Sequence, residues 1–142
     1  MKYVVDSSVA FKWFVPESDS DKADRIRDDF DSGSVELLAP DVFPLELAHA
    51  LTRAERQGRL TIGQASIFWA DAMATSPDLH PSIPLATRAI EIASAARIGV
   101  YDCLYVALAE REGCEFVTAD TRLVSNLSAR FPFIRDLSTF PS

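Results

Sequence analysis

The 142-residue chain predicts an α/β fold: a three-layer sandwich whose central, mostly parallel sheet of about four or five strands is flanked by helices. Short apolar runs of strand length alternate with longer segments of helical periodicity, the pattern of helices crossing over between parallel strands. Hydrophobic residues make up 48% of the chain, enough to fill a core between such layers. The length fits one domain, and no repeat, low-complexity tract or linker interrupts it. Residues 1–142 are therefore expected to form a single domain.

The elements follow in order. Lys2-Tyr-Val-Val5 reads as a short buried strand stopping at Asp6. Ser7 and Ser8 are placed to cap a helix through Val9–Phe14, which Pro16 ends. A polar, charged helix is expected from Ser18 or Asp19 to about Phe30, and Asp31–Ser34 is a turn. Val35–Ala39 is a second strand. Val42–Gln57 is a helix with Phe43, Leu47, Ala50, Leu51 and Ala54 on one face, and Gly58 stands where a helix C-terminus expects glycine. Thr61 is expected to cap a helix over Ile62–Ala74, broken by Pro77. Leu79–Ile83, flanked by prolines, reads as a weak strand and Leu85–Arg97 as a helix. Tyr101–Glu112 is an apolar helix ended by Gly113, and Glu115–Thr118 is a strand running toward Asp120. A short helix to about Arg130 and a strand near Phe133–Leu137 complete the chain.

Composition sets some boundaries. No apolar stretch approaches the roughly 18 residues of a membrane span. The N-terminal run is interrupted by Asp6 and Lys12 and lacks a small-residue cleavage site, so no signal peptide is expected. Cys103 and Cys114 fit neither a metal motif nor a disulfide framework, which suits a reducing cytoplasm. The net charge of −7 lacks the basic footprint common in nucleic-acid domains. Acids reserved for divalent cations would lose much of that charge on binding, however, and local patches rather than sums make contacts.

Four acids stand out. In open parallel sheets ligands bind beyond the carboxyl ends of the strands. Asp6 closes the first strand, and Asp120 follows the Glu115–Thr118 strand by two residues. Either can also serve simply as a helix cap. Asp102 lies in Val100–Ala109, a stretch with almost no polar residues, where an unpaired carboxylate is costly. Its proximity to a helix N-terminus offers a plainer role. Glu46 adjoins the inward stripe of its helix, or pairs with Arg53 as a rim residue. Taken together, four hard oxygen donors favour Mg²⁺ or Mn²⁺, one or two ions, over zinc. Such a cluster is chemically sufficient for phosphodiester hydrolysis.

With these residues in place, the chain resembles the PIN-domain nucleases, and especially VapC-type toxins of toxin–antitoxin pairs. The matching segments are Val4-Val-Asp-Ser-Ser-Val9, Pro44-Leu-Glu-Leu-Ala-His-Ala-Leu51, Tyr101-Asp-Cys-Leu-Tyr-Val-Ala-Leu-Ala-Glu110 and Phe116-Val-Thr-Ala-Asp-Thr-Arg-Leu123. Their order and spacing span essentially the whole chain. The resemblance implies a PIN-like sandwich and a metal-dependent endoribonuclease whose metal-binding, catalytic acids are Asp6, Glu46, Asp102 and Asp120. Ser8 and Thr118 match small polar positions that hold those acids or the metal's waters. The family often has asparagine three residues after the glutamate, where this chain has His49. The resemblance further implies structured RNA as substrate (transfer or ribosomal RNA), a homodimer, and a cognate antitoxin protein that obstructs the active site.

Lys12, just after Asp6, and Arg122, just after Asp120, are candidate phosphate contacts. Arg53, Arg56 and Arg59 cluster near the end of the Glu46 helix, as RNA contacts or as solvated charges. Phe68 and Trp69 belong either to a dimer or antitoxin surface or to the core. Two other acidic α/β families fit poorly: a response-regulator receiver needs adjacent acids after its first strand, and a haloacid-dehalogenase phosphatase needs an acid where Ser8 stands. The remaining alternative is a PIN-like module that binds RNA or protein without cutting; fold alone does not separate the two.

Overall fold

In the computed structural model, which describes residues 1–142, β1 (Lys2–Val5) sends Val4 to one face of the sheet and Tyr3 and Val5 to the other. β2 (Glu36–Pro40) divides in the same way, with Leu38 and Leu37 on opposite faces, as does β4 (Glu115–Thr118), with Phe116 and Val117. This period-two alternation is what makes three layers, and the layers are unequal. One core holds 27 buried residues and the other 9.

β3 (Asp78–His80) and β5 (Ile134–Asp136) form the edges of a fully parallel sheet ordered β3-β2-β1-β4-β5. The chain thus builds outward from β1 through β2 to β3, then returns to the other side of β1 with β4. The order reverses between β1 and β4, which makes the crevice beyond their carboxyl ends the expected binding position. Val5 pairs with Val117 across that junction, so Asp6 follows directly beside Thr118.

The larger core is covered by α1 (Ser7–Phe11), α3 (Phe43–Arg56), α4 (Gln64–Ala74), α5 (Ala86–Ala96), α6 (Val100–Glu112) and α7 (Thr121–Leu127), while α2 (Ser20–Asp31) closes the smaller one through Ala23 and Ile26. In α3 the stripe Phe43, Leu47, Leu51 and Ala54 is buried. In α6 every residue from Cys103 to Ala109 is buried, because a helix apolar on all sides must be enclosed on all sides. α6 lies between the sheet and α5. Gly113 ends it at φ 64°, a left-handed conformation that costs glycine little.

Several boundaries differ from expectation. Asp6, not Ser7 or Ser8, caps α1, accepting from the amides of Ser8 and Val9, and the helix ends at Phe11. α4 starts at Gln64 after Gly63 at φ 99°, and its first amides are satisfied from outside the segment: Glu55 accepts from Gly63 and Ala65, both at 2.9 Å. Thr61 plays no such part. The weak strand is only Asp78–His80, since Pro81 and Pro84 cannot donate to a ladder, and Ile83–Leu85 forms a 3₁₀ turn. α7 stops at Leu127, three residues short of Arg130, and β5 covers only Ile134–Asp136. Phe68 stacks on Phe14 at 5.3 Å and the Trp69 indole donates to the Pro44 carbonyl at 2.8 Å, so both pack inward.

Candidate active site

Asp6 is 8% exposed and sits at the centre of a hydroxyl cradle. Its Oδ1 accepts from Ser8 Oγ at 2.5 Å and from the Ser8 amide at 3.1 Å, and its Oδ2 accepts from Thr118 Oγ1 at 2.6 Å. Ser8 Oγ in turn accepts from the Ala119 amide at 2.9 Å, and Thr118 Oγ1 from the Asp120 amide at 3.1 Å. A hydroxyl has one proton to give. Both protons are directed at Asp6, and both oxygens tie the β4–α7 connection to it. Burial pushes the Asp6 carboxyl up to about 6; the bonds from Ser8 and Thr118 hold it down, and the charge of Asp102 adds to the rise.

Asp120 caps α7 through Oδ1, which accepts from the Arg122 and Leu123 amides at 3.1 and 3.3 Å. The plain capping role therefore holds for both Asp6 and Asp120, and both stand just beyond the carboxyl ends of the paired strands β1 and β4. Asp102 stands in the first turn of α6, where the helix dipole tolerates an anion. Its carboxyl is raised by burial and then by Asp120. Glu46 stands in the first turn of α3, half-buried, and its Oε1 accepts from the Tyr105 hydroxyl at 2.5 Å. Its carboxyl is raised by burial and by Asp102, against the pull of that hydrogen bond. Asp102 thus acts electrostatically on Asp6 and Glu46, and Asp120 acts on Asp102.

A cleft of about 780 Å³ opens between α1 and α3. Glu46, Ser8, Ala119 and Tyr101 mark its end nearest the acids, while Arg53, Gln57 and Arg59 lie along or beyond α3. From Glu46 to Gln57 the helix rises about 16 Å, long enough to follow several nucleotides. Of the four acids only Glu46 lines the cleft; the others lie behind its end, next to lining residues.

The profile of the PIN domain matches residues 3–126. This chain belongs to the PIN-domain family. It is similar to ribonuclease VapC3 of Pyrobaculum aerophilum, 32% identical over 131 residues that cover 91% of this chain and 97% of that protein. Among solved structures it resembles PAE2754 of the same organism, with a TM-score of 0.69 at 23% identity over 98% of this chain and 94% of that one. It also resembles VapBC2 of Rickettsia felis, solved on a DNA fragment from its promoter, with a TM-score of 0.64 at 12% identity over 96% and 98% of the two chains. The last two likenesses bear on the fold, which is that of the PIN domain.

Does this PIN-domain site suit a divalent cation? Every donor that Asp6, Glu46, Asp102 and Asp120 offer is a carboxylate oxygen, the set preferred by Mg²⁺ and Mn²⁺. Three of the four carboxyls are raised by burial and by one another's charge, a penalty that a cation reverses. No three acidic, histidine or cysteine side chains already converge as a closed shell. Magnesium retains several waters and takes only one or two carboxylates directly. The donor set fits it.

The other candidates fall in different places. Lys12 lines the cleft, but its ammonium is held by Glu17 Oε1 at 3.2 Å and the Ser18 carbonyl at 2.8 Å. Arg122 is exposed in the first turn of α7 and does not line the cleft. His49 is an exposed lining residue one turn beyond Glu46. Arg53 and Arg59 line the cleft, whereas Arg56 does not. Sequence reasoning missed the role of Tyr105, which is 1% exposed, stacked on Phe116 and bonded to Glu46. The signal was present: a tyrosine inside an apolar helix needs a partner for its hydroxyl. It also missed Glu17.

Proposed function

We propose that this chain is a metal-dependent endoribonuclease of the VapC type, the toxin of a toxin–antitoxin pair. The observation that carries the reading is the coupling of the acids near the β1/β4 reversal: Asp6 is clamped by Ser8 and Thr118, and on top of burial Asp102 raises both Asp6 and Glu46, and Asp120 raises Asp102. A binding scaffold has no need of so costly a concentration of half-buried carboxylates. The 32% identical relative named as a ribonuclease and the fold shared with a VapBC complex support the same conclusion.

Asp6, Glu46, Asp102 and Asp120 would hold Mg²⁺ or Mn²⁺, as one or two ions. The bound cation supplies Lewis-acid activation of water and neutralises charge developing on the phosphate. The protein contributes preorganisation. Ser8 and Thr118 fix both oxygens of Asp6, so it cannot rotate away from the crevice. Tyr105 fixes one oxygen of Glu46, and α6 presents Asp102 from a rigid, fully packed helix. Preset donors and charges avoid reorganisation at the moment of reaction. RNA, whether transfer or ribosomal, would approach along the α1/α3 cleft. The antitoxin would cover the same cleft, and the working form would be a cytoplasmic homodimer. No single helix is long and apolar enough to cross a membrane.

The test is cleavage of total cellular RNA by the purified chain with Mg²⁺ or Mn²⁺, with EDTA, and by Asp6→Asn. Discrete fragments that disappear with EDTA and in the variant are expected. Binding of Mn²⁺ without cleavage of any RNA would favour a non-catalytic module; neither binding nor cleavage would end the proposal.

A further inference from the structure

The cleft carries a three-residue ionic device, joining the connection after α1 to the segment after α3, that the acid site does not use. Glu17, in the connection after α1, places one carboxylate oxygen on each of two cations. Its Oε1 is 3.2 Å from Lys12 Nζ, and its Oε2 accepts from Arg59 Nη2 at 2.7 Å. All three residues line the cleft. The parts are held from behind. The Glu17 amide donates to Ser20 Oγ at 2.9 Å, and the Ser20 amide donates back to the Glu17 carbonyl at 3.2 Å. The Arg59 amide donates to the Ala54 carbonyl at 2.9 Å, beyond Gly58 at φ 75°, and its guanidinium lies 5.4 Å from the Phe11 ring centroid. Lys12 keeps only 12% side-chain exposure.

A carboxylate bridging a lysine and an arginine presents two anionic oxygens to them, as the two non-bridging oxygens of a phosphodiester do. On a chain of net charge −7, cations facing the cleft are few, and this pair is already occupied. Burial alone would raise the Glu17 carboxyl, yet the bonds from Arg59 and Lys12 outweigh it and hold the group below its usual range. We propose that Lys12 and Arg59 form a phosphate-binding subsite for RNA, and that Glu17 is a built-in competitor that a backbone phosphate must displace. Glu17 thereby sets the affinity of the cleft for RNA and disfavours weak, non-specific strands. The proposal rests on RNA being the ligand of the cleft.

The experiment measures binding of a fluorescein-labelled, mixed-sequence single-stranded RNA by anisotropy, in EDTA so that no cleavage intervenes, across a range of salt concentrations. Glu17→Gln is expected to tighten binding about three- to tenfold, the scale of freeing one exposed ionic network. It should also steepen the slope of log affinity against log salt by about 0.7, one extra single-strand phosphate contact. Arg59→Gln should weaken binding about threefold and erase the gain when combined with Glu17→Gln. Asp31→Asn, which removes the same charge from the exposed end of α2, should change neither quantity. Unchanged binding in Glu17→Gln or in Arg59→Gln, or an equal gain in Asp31→Asn, overturns the proposal. Metal-dependent cleavage by the wild-type chain is scored separately, so a nuclease with no Glu17 effect refutes only the competitor. A Glu17 effect without cleavage refutes only the catalysis.

Discussion

Replacing Asp6 by asparagine should change the stability of the metal-free protein by an amount that rises in the variant's favour as pH increases. The Asp6 carboxyl is raised from 3.8 to about 6, so the folded state holds this proton more tightly than the unfolded state does. For such a group, stability is lost as pH rises from the unfolded value through the folded one, the reverse of an ordinary salt-bridged aspartate. A shift of about two units corresponds to about 3 kcal/mol, reached between about pH 4 and about pH 6 and constant above. Asparagine does not titrate there. It also loses charge-assisted bonds from Ser8 and Thr118, which displaces the whole curve but not its slope. Urea unfolding of both proteins in EDTA at pH 4, 5, 6 and 7 therefore isolates the effect, since the other carboxyls largely cancel in the difference. The variant should gain up to about 3 kcal/mol on the wild type between pH 4 and pH 7. A difference that stays flat across this range would falsify the account of Asp6 as a buried carboxylate kept ionised against its surroundings.

Other outcomes follow from the same geometry. Magnesium should raise the melting temperature of the wild type, because a ligand of the folded state alone stabilises it. The rise should be lost in an Asp6→Asn, Asp102→Asn double variant, and an equal rise in both proteins would place the cation elsewhere. Tyr105→Phe keeps the ring against Phe116 but withdraws the donor from Glu46. It should cost about 1 kcal/mol in urea unfolding, and a wild-type midpoint would count against the bond. Leu47→Ala, at a fully buried position of α3, should cost about 2–5 kcal/mol; a smaller loss by thermal or urea unfolding would mean that α3 repacks around the cavity.

Much of the molecule was legible before any coordinates. The alternation of apolar runs and helical stripes led to the parallel α/β fold, because burial on two faces of a sheet and on one face of a helix leaves different periods in the chain. Gly113, and the proline that follows Ser76, marked ends that the backbone does respect. Asp6 and Asp120 were visible because strand ends carry a chemistry of their own, and Asp102 because a carboxylate among apolar neighbours demands a reason. Helix starts were read less well. The cap of α1 is Asp6, which the sequence offered beside Ser7 and Ser8, whereas α4 is capped by Glu55 from the preceding helix, an arrangement no local window contains.

What the sequence by itself determined is an inventory: carboxylates at strand and helix ends, on a scaffold of alternating strands and helices. Only the tertiary structure decided which groups meet. The order β3-β2-β1-β4-β5 sets residue 118 against residue 6, so that Thr118 and Ser8 spend their protons on Asp6. α6 lodged against the sheet brings Tyr105 to Glu46, 59 residues away. The return of the chain after α3 brings Arg59 to Glu17, 42 residues away. Periodicity reports which face of an element is buried, a property of one segment. A hydrogen bond between segments depends on where both are carried by the rest of the chain, and no single segment holds that information.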